Sequence, residues 1–287
     1  QNGSIDVKYV PDTGFIGRDE TLLLLDRAFD AHSVVLLHAY AGQGKTTTAV
    51  EFARWYATTG GLGARPNVLL TSFETTNTLP KMLDTIGQRH VDDWSAINQL
   101  EERRQRVLAV LRSVPLLWIW DNVEPVAGFP AGTESGWTNE EQRELADFLK
   151  RIKLDPQSKA KVLLTSRRDE QTWLSGIPYR IPMPRMRRSD AARLAQQLGA
   201  ERNLTRSEIN SWQPLLDYCA GNPLTLRVIA GQAVRMGLRG EDQITAFVQA
   251  VRDGEQQIED ADEAQGRDVS LGASLDYGFK NAFNEEE

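Results

Sequence analysis

Residues 33–55 constrain the fold more than any other stretch. An apolar run, Ser33-Val34-Val35-Leu36-Leu37-His38, leads into Ala39-Tyr40-Ala41-Gly42-Gln43-Gly44-Lys45-Thr46-Thr47 and then into a helical pattern, Thr48-Ala49-Val50-Glu51-Phe52-Ala53-Arg54-Trp55. Strand, glycine-bearing loop, Lys-Thr and helix is the order in which a loop turns backbone N–H groups inward around an anion. The start of the following helix adds partial positive charge. In such a loop Lys45 reaches the β and γ phosphates and the Thr46 hydroxyl ligates Mg²⁺. The pattern G-x-x-x-x-G-K-[ST] has Gly where this chain has Ala39, a position that tolerates a methyl if its φ is negative. The competing reading of the same letters is a strand–turn–helix unit with a solvated lysine.

Further short apolar runs follow at Val68–Phe73, Leu116–Trp120 and Val162–Ser166, and a short strand at Tyr179–Pro182 closes this part, with amphipathic patterns between the runs at Leu79–Gln88, Ala96–Arg112 and Asn139–Ile152. In the second helix Leu100, Val107, Leu108 and Leu111 share one face, and Glu101, Glu102, Arg103 and Arg104 are expected in solvent. Five apolar strands alternating with helices predict an α/β fold, a parallel five-stranded sheet with right-handed crossovers. Pro125–Thr138, rich in Gly, Pro and small residues, reads as a loop and a mobile-lid candidate. Beyond Pro184 the strand signals cease, and Asp190–Leu198, Arg206–Ala220, Pro223–Arg235 and Asp242–Arg252 read as helices. The expected division is an N-terminal arm at 1–13, a nucleotide-binding domain at 14–184, a helical domain at 185–253, an acidic linker at 254–268 and the start of another domain at 269–287.

Charge and cysteine usage exclude several classes. A net charge of −7 over 287 residues argues against a general nucleic-acid surface. The single cysteine, Cys219, rules out an internal disulfide framework and fits a reducing, cytoplasmic setting. No apolar run approaches the roughly 20 residues needed to span a bilayer. Beginning at Gln1 rather than Met, the chain reads as a fragment of a longer protein.

Ligands of open parallel sheets sit at the carboxyl ends of the strands. Three such ends are polar here: Lys45-Thr46 after the first strand, Asp121 after the third and Arg167 after the fourth. Asp121 fits the carboxylate that holds Mg²⁺ with Thr46. Asn122 cannot be a base, and Glu124 has the right chemistry but lies two residues further along. Arg167 is placed to neutralise a γ-phosphate, with Arg168 as its competitor. Arg185, Arg187 and Arg188 read as a solvated helix start. His38 and Cys219 read as packing residues, and Trp118 and Trp120 as core.

Taken together, these stretches resemble the NB-ARC (AP-ATPase) domain of the STAND P-loop ATPases. The match runs through Phe15-Ile16-Gly17-Arg18-Asp19-Glu20, Gly42-Gln43-Gly44-Lys45-Thr46-Thr47, Leu116–Glu124, Val162–Arg167 and Gly221-Asn222-Pro223-Leu224, in that order, covering about Gly14 to Phe283. The resemblance implies an ATP/ADP switch needing Mg²⁺, with nucleotide contacts from Ile16, Arg18, Ala41, Gly42, Gln43, Gly44, Lys45, Thr46, Thr47 and Pro223. It implies metal ligation by Thr46 and Asp121, and a helical domain that closes over the nucleotide. It further implies a monomer with ADP, homo-oligomerisation with ATP, and effector and sensor domains outside this fragment. Lys45, Asp121, Glu124 and Arg167 are the candidate catalytic residues. Asn122 stands where many members carry a second Asp acting as base, so hydrolysis is expected to be slow. Ser270–Tyr277 resembles the entry to a winged-helix domain. Two alternatives stay open: an AAA+-like ATPase with robust turnover, and a nucleotide-dependent scaffold without hydrolysis. No Asn-Lys-x-Asp guanine motif appears.

Overall fold

The computed structural model describes residues 14–63, 67–75, 78–128, 135–200 and 205–253. The expected arm, the linker, the 269–287 segment and the centre of the lid candidate lie outside them. By its internal contacts the chain divides into two compact units. The first holds Asp19–Ala39 and Lys45–Met183; the second holds residues 14–18, Tyr40–Gly44 and 184–253.

The first unit is built on the expected five-stranded parallel sheet, β1 (Val34–His38), β2 (Asn67–Ser72), β3 (Leu116–Asp121), β4 (Ala160–Ser166) and β5 (Tyr179–Pro182), in spatial order β2-β3-β4-β1-β5. Its helices are α1 (Asp19–Ala31), α2 (Lys45–Thr58), α3 (Leu79–His90), α4 (Leu100–Ser113), α5 (Asn139–Leu154) and the single turn α6 (Gln171–Leu174). The period of two along each strand feeds two cores. Val34, Leu36, Trp118, Trp120, Val162 and Leu164 face α3, α4 and α5, where Met82, Leu111 and Phe148 are buried. Val35, Leu37, Leu117, Ile119 and Leu163 face α1 and α2, where Phe29, Phe52 and Ala53 complete the layer. Both tryptophans of β3 are fully buried, their rings edge to face at 5.2 Å.

Two expectations are corrected here, the start of one helix and the solvation of two arginines. The helix drawn from Ala96 begins at Leu100, because Trp94–Ala96 forms a separate 3₁₀ turn. Trp94 is buried against Gly87, its indole N–H donates to Asp84 at 2.6 Å, and Arg103 lies 5.0 Å over its ring. Arg103 and Arg104 are consequently half-buried in ion pairs with Asp84 and Glu144 rather than solvated. The lid candidate is anchored at both described ends: Glu124–Ala127 is a buried 3₁₀ turn, and Trp137 packs on Phe73. Thr138 then starts α5 through a capping box with Glu141.

The second unit contains α7 (Arg188–Ala200), α8 (Arg206–Asn210), α9 (Gln213–Cys219), α10 (Pro223–Arg235) and α11 (Glu241–Arg252) around a core of Trp212, Leu215, Leu226, Ile229 and Phe247. The single helix expected over Arg206–Ala220 is two. Pro214 lacks an N–H and is tolerated only in a first helical turn, so the chain breaks at Ser211-Trp212 and restarts. Cys219 is buried, its thiol pushed up by that burial. Among the described residues no helix is long and apolar enough to cross a membrane.

Candidate functional site

The loop after β1 is shaped by its glycines. Gly42 and Gly44 have φ of +75° and +83°, the left-handed region open to glycine. A Cβ on Gly42 would come within 2.7 Å of the Asn222 side chain, whereas a Cβ on Gly44 would meet no atom within 4 Å. Gly42 is thus required by packing and backbone alike. Gly44 is required by its backbone conformation alone. Ala39 is not among the positive-φ residues, so its methyl is tolerated as expected. Its N–H donates to the Ser166 carbonyl at 3.2 Å, and its own carbonyl accepts from Lys45 Nζ at 2.9 Å.

Within the first unit, parallel pairing aligns the strand ends, with β1 beside β4 and Ser72 in register with Asp121. Lys45 opens α2 and is only 7% exposed. Burial lowers its pKa to about 8, opposed by Glu124 and Asp121 and assisted by Arg167. The lysine and the candidates Asp121, Glu124 and Arg167 therefore share one electrostatic environment. Asp121 Oδ1 accepts from Thr46 Oγ1 at 2.8 Å and from Thr165 Oγ1 at 2.6 Å. Burial raises the Asp121 carboxyl, and these two hydroxyls pull it back. Thr165, fully buried on β4, also accepts the Asn122 N–H at 3.0 Å. It was missed in the sequence because a strand-end threonine carries no signal until the register places it beside Asp121.

Glu124 does not lie in an open loop. It is 3% exposed, and its Oε1 pairs with Arg167 Nε at 3.1 Å. Its Oε2 is buried without a hydrogen-bond partner, although such oxygens are nearly always satisfied. Burial raises this carboxyl above the usual range. Arg168 turns elsewhere, donating to the Glu124 carbonyl at 3.3 Å and pairing with the buried Glu170 at 3.5 Å. Glu170 is gripped by Ser166 and by the Trp173 indole.

Asn122 has φ of +56°, a conformation that Asn tolerates better than most residues. Its Nδ2 donates to Glu74 Oε1 at 2.6 Å. Thr47 lies in the first turn of α2, partly buried.

Within the second unit, the loop is held from behind. The Arg18 guanidinium donates to the Gln43 carbonyl at 2.9 Å and also to the Pro184 carbonyl. Gly17 lies so close to Asp190 that a Cβ there would be 2.3 Å from its Oδ2. Ile16 packs on the helical core. Asn222 caps α10, accepting from the N–H groups of Leu224 and Thr225, while its Nδ2 donates to the Ala41 carbonyl at 3.1 Å. The Leu224 N–H donates to the Gly42 carbonyl at 3.3 Å, and Pro223 is the first residue of that helix.

Within the first unit the chemistry fits a magnesium-bound phosphate chain: a buried cation, a buried carboxylate carrying a threonine hydroxyl and an unsatisfied carboxylate oxygen. Among the described residues no cluster of three or more His, Cys, Asp or Glu side chains could hold a metal ion by itself.

No protein-family model matches the sequence, and no curated protein sequence matches it. Solved structures do match in fold. A Walker-type ATPase of Pyrococcus abyssi aligns at 14% identity over 93% of this chain and 77% of that one, with a TM-score of 0.57. Domain III of the Thermotoga maritima replication initiation protein DnaA aligns at 13% identity over 86% and 98%, with a TM-score of 0.52. The Aeropyrum pernix ORC2 protein in its ADP form aligns at 15% identity over 85% and 71%, also with a TM-score of 0.52. The likeness is one of architecture, and this chain has the α/β fold of the P-loop ATPases.

Proposed function

We propose that the chain is an adenine-nucleotide-binding switch module of the STAND/NB-ARC kind. It holds ATP or ADP with Mg²⁺, hydrolyses ATP slowly and uses the nucleotide state to control oligomerisation and signalling of a larger protein. The observation that carries this reading is the convergence on Lys45. One buried ammonium shares its environment with Asp121, Glu124 and Arg167, and the Asp121 carboxylate carries the Thr46 hydroxyl. Two cations and two carboxylates leave this set formally neutral, so a phosphate anion is accommodated there together with the charge of Mg²⁺. The fold is shared with an ORC2 protein described in an ADP form, which supports adenine nucleotide as that anion.

In this reading the loop N–H groups and Lys45 take the phosphates, while Thr46 and Asp121 hold the metal. Mg²⁺, when bound, neutralises phosphate charge during transfer. Arg167 is the γ-phosphate sensor: its guanidinium acts on Lys45 and is paired with Glu124, and a γ-phosphate competes for that pairing. Arg168 is committed to Glu170 and the Glu124 carbonyl. This competition supplies the differential contact that any ATP/ADP switch needs. The domain limits remain those proposed from the sequence, 14–184 and 185–253.

The test is the nucleotide released when the purified protein is denatured, together with calorimetric titration of ADP into wild type and Lys45→Ala. ADP release and loss of binding in the variant are expected. Undiminished ADP affinity in Lys45→Ala would sink the reading.

A further inference from the structure

Slow hydrolysis still requires a group that orients water and takes its proton. Asn122, next to Asp121, carries an amide and no basic oxygen of that strength. Two carboxylates stand nearby. Glu124 is 3% exposed and enclosed in the 3₁₀ turn after Asp121, so a proton taken up there has no direct route to solvent. Glu74 differs in each respect. It lies two residues past Ser72, whose register partner is Asp121, so the ends of β2 and β3 are side by side. The Phe73 N–H donates to the Asp121 carbonyl at 2.9 Å, fixing the turn that presents Glu74. The Glu74 side chain is exposed, and it receives the Asn122 amide at 2.6 Å. Asn122 is itself fixed by the Thr165 hydroxyl that also holds Asp121. One chain of contacts thus joins the metal-site carboxylate to a solvent-facing carboxylate.

The geometry points to Glu74 as the general base of this site, with Asn122 as the residue that positions it. The inference rests on the nucleotide-binding reading above. A water oxygen bonds to the γ-phosphorus as the bond from that phosphorus to the β,γ-bridging oxygen breaks. The electron pair of the broken bond stays with ADP. The proton leaving the water passes to the Glu74 carboxylate and then to solvent. ATP and water are thereby converted to ADP and inorganic phosphate, with no other reactant. An acid in the turn after the adjacent strand, held by the Asn122 amide, takes the place of an acid following Asp121.

The experiment uses three variants of the full chain: Glu74→Gln, Glu124→Gln, and the exchanged pair Glu74→Asn with Asn122→Glu. Three quantities are measured: single-turnover phosphate release from Mg-ATP, ADP affinity by calorimetry, and the nucleotide carried through purification. Glu74→Gln is expected to slow release by roughly 100-fold while ADP affinity stays within about twofold, because the lost contact acts only in the chemical step. The variant is expected to retain ATP where wild type retains ADP, and the exchanged pair to recover most of the lost rate. Wild-type release by Glu74→Gln with ADP binding intact overturns the inference and leaves the nucleotide reading standing. So does a wild-type protein that binds ADP but releases no phosphate. A protein that binds no adenine nucleotide overturns both.

Discussion

Lys45 makes nucleotide affinity depend on pH in a way that can be calculated. Without ligand its pKa is about 8, because burial outweighs the nearby carboxylates. At that value roughly three-quarters of the lysines are charged at about pH 7.5 and about one-tenth at about pH 9. Bound phosphates within a few ångströms favour the charged form and raise the pKa. Binding in this range therefore takes up a proton, and affinity falls as pH rises. From about pH 7.5 to about pH 9 the ADP dissociation constant should rise about eightfold, or ~1.3 kcal/mol. The groups facing Lys45 are Asp121, Glu124 and Arg167, with His38 also within its field. Burial holds the His38 pKa below its ordinary value, so the imidazole is neutral throughout this range. Calorimetry in buffers of different ionisation heat measures both the affinity and the proton uptake. Lys45→Arg stays charged across the range and should flatten the profile. A flat wild-type profile, or one that persists unchanged in Lys45→Arg, would refute the reasoning.

Thr165→Val removes the hydroxyl that donates to Asp121 and accepts the Asn122 N–H. The part-buried Asn122 N–H loses its acceptor and the buried Asp121 carboxylate keeps only the Thr46 hydroxyl, so stability should drop by about 2 kcal/mol, seen as a melting point lower by roughly 4–8 °C; Thr165→Ser should recover most of it. Asn222→Ala loses the cap of α10 and the hydrogen bond to the Ala41 carbonyl, and should lower the urea-unfolding free energy by about 1–2 kcal/mol.

The sheet was legible because β1 to β4 are apolar runs with polar ends, and period two cannot be satisfied except between two layers. The phosphate loop was legible because Gly44-Lys45-Thr46 follows such a run. Register and backbone hand were not legible. That Thr165 holds Asp121, that Asn122 turns into the left-handed region and that Glu74 receives its amide all depend on which strand ends are adjacent. Glu124 reads from the sequence as an acidic candidate but not as a buried one, since Pro125 disguises a tight 3₁₀ turn as the start of a loop. Pro214 did mark a helix start, but the apolar spacing on both sides concealed it.

The paired indoles of β3 have an optical consequence. Trp118 and Trp120 lie edge to face at 5.2 Å, and the Trp118 N–H is anchored on the Thr71 hydroxyl at 2.9 Å. Chromophores so close and so fixed couple their electronic transitions and contribute a paired circular-dichroism band whose sign and size follow their mutual angle. Asp121 is the next residue along the same strand. The strand carrying the proposed metal-binding carboxylate therefore contains its own spectroscopic ruler, readable without attaching a label.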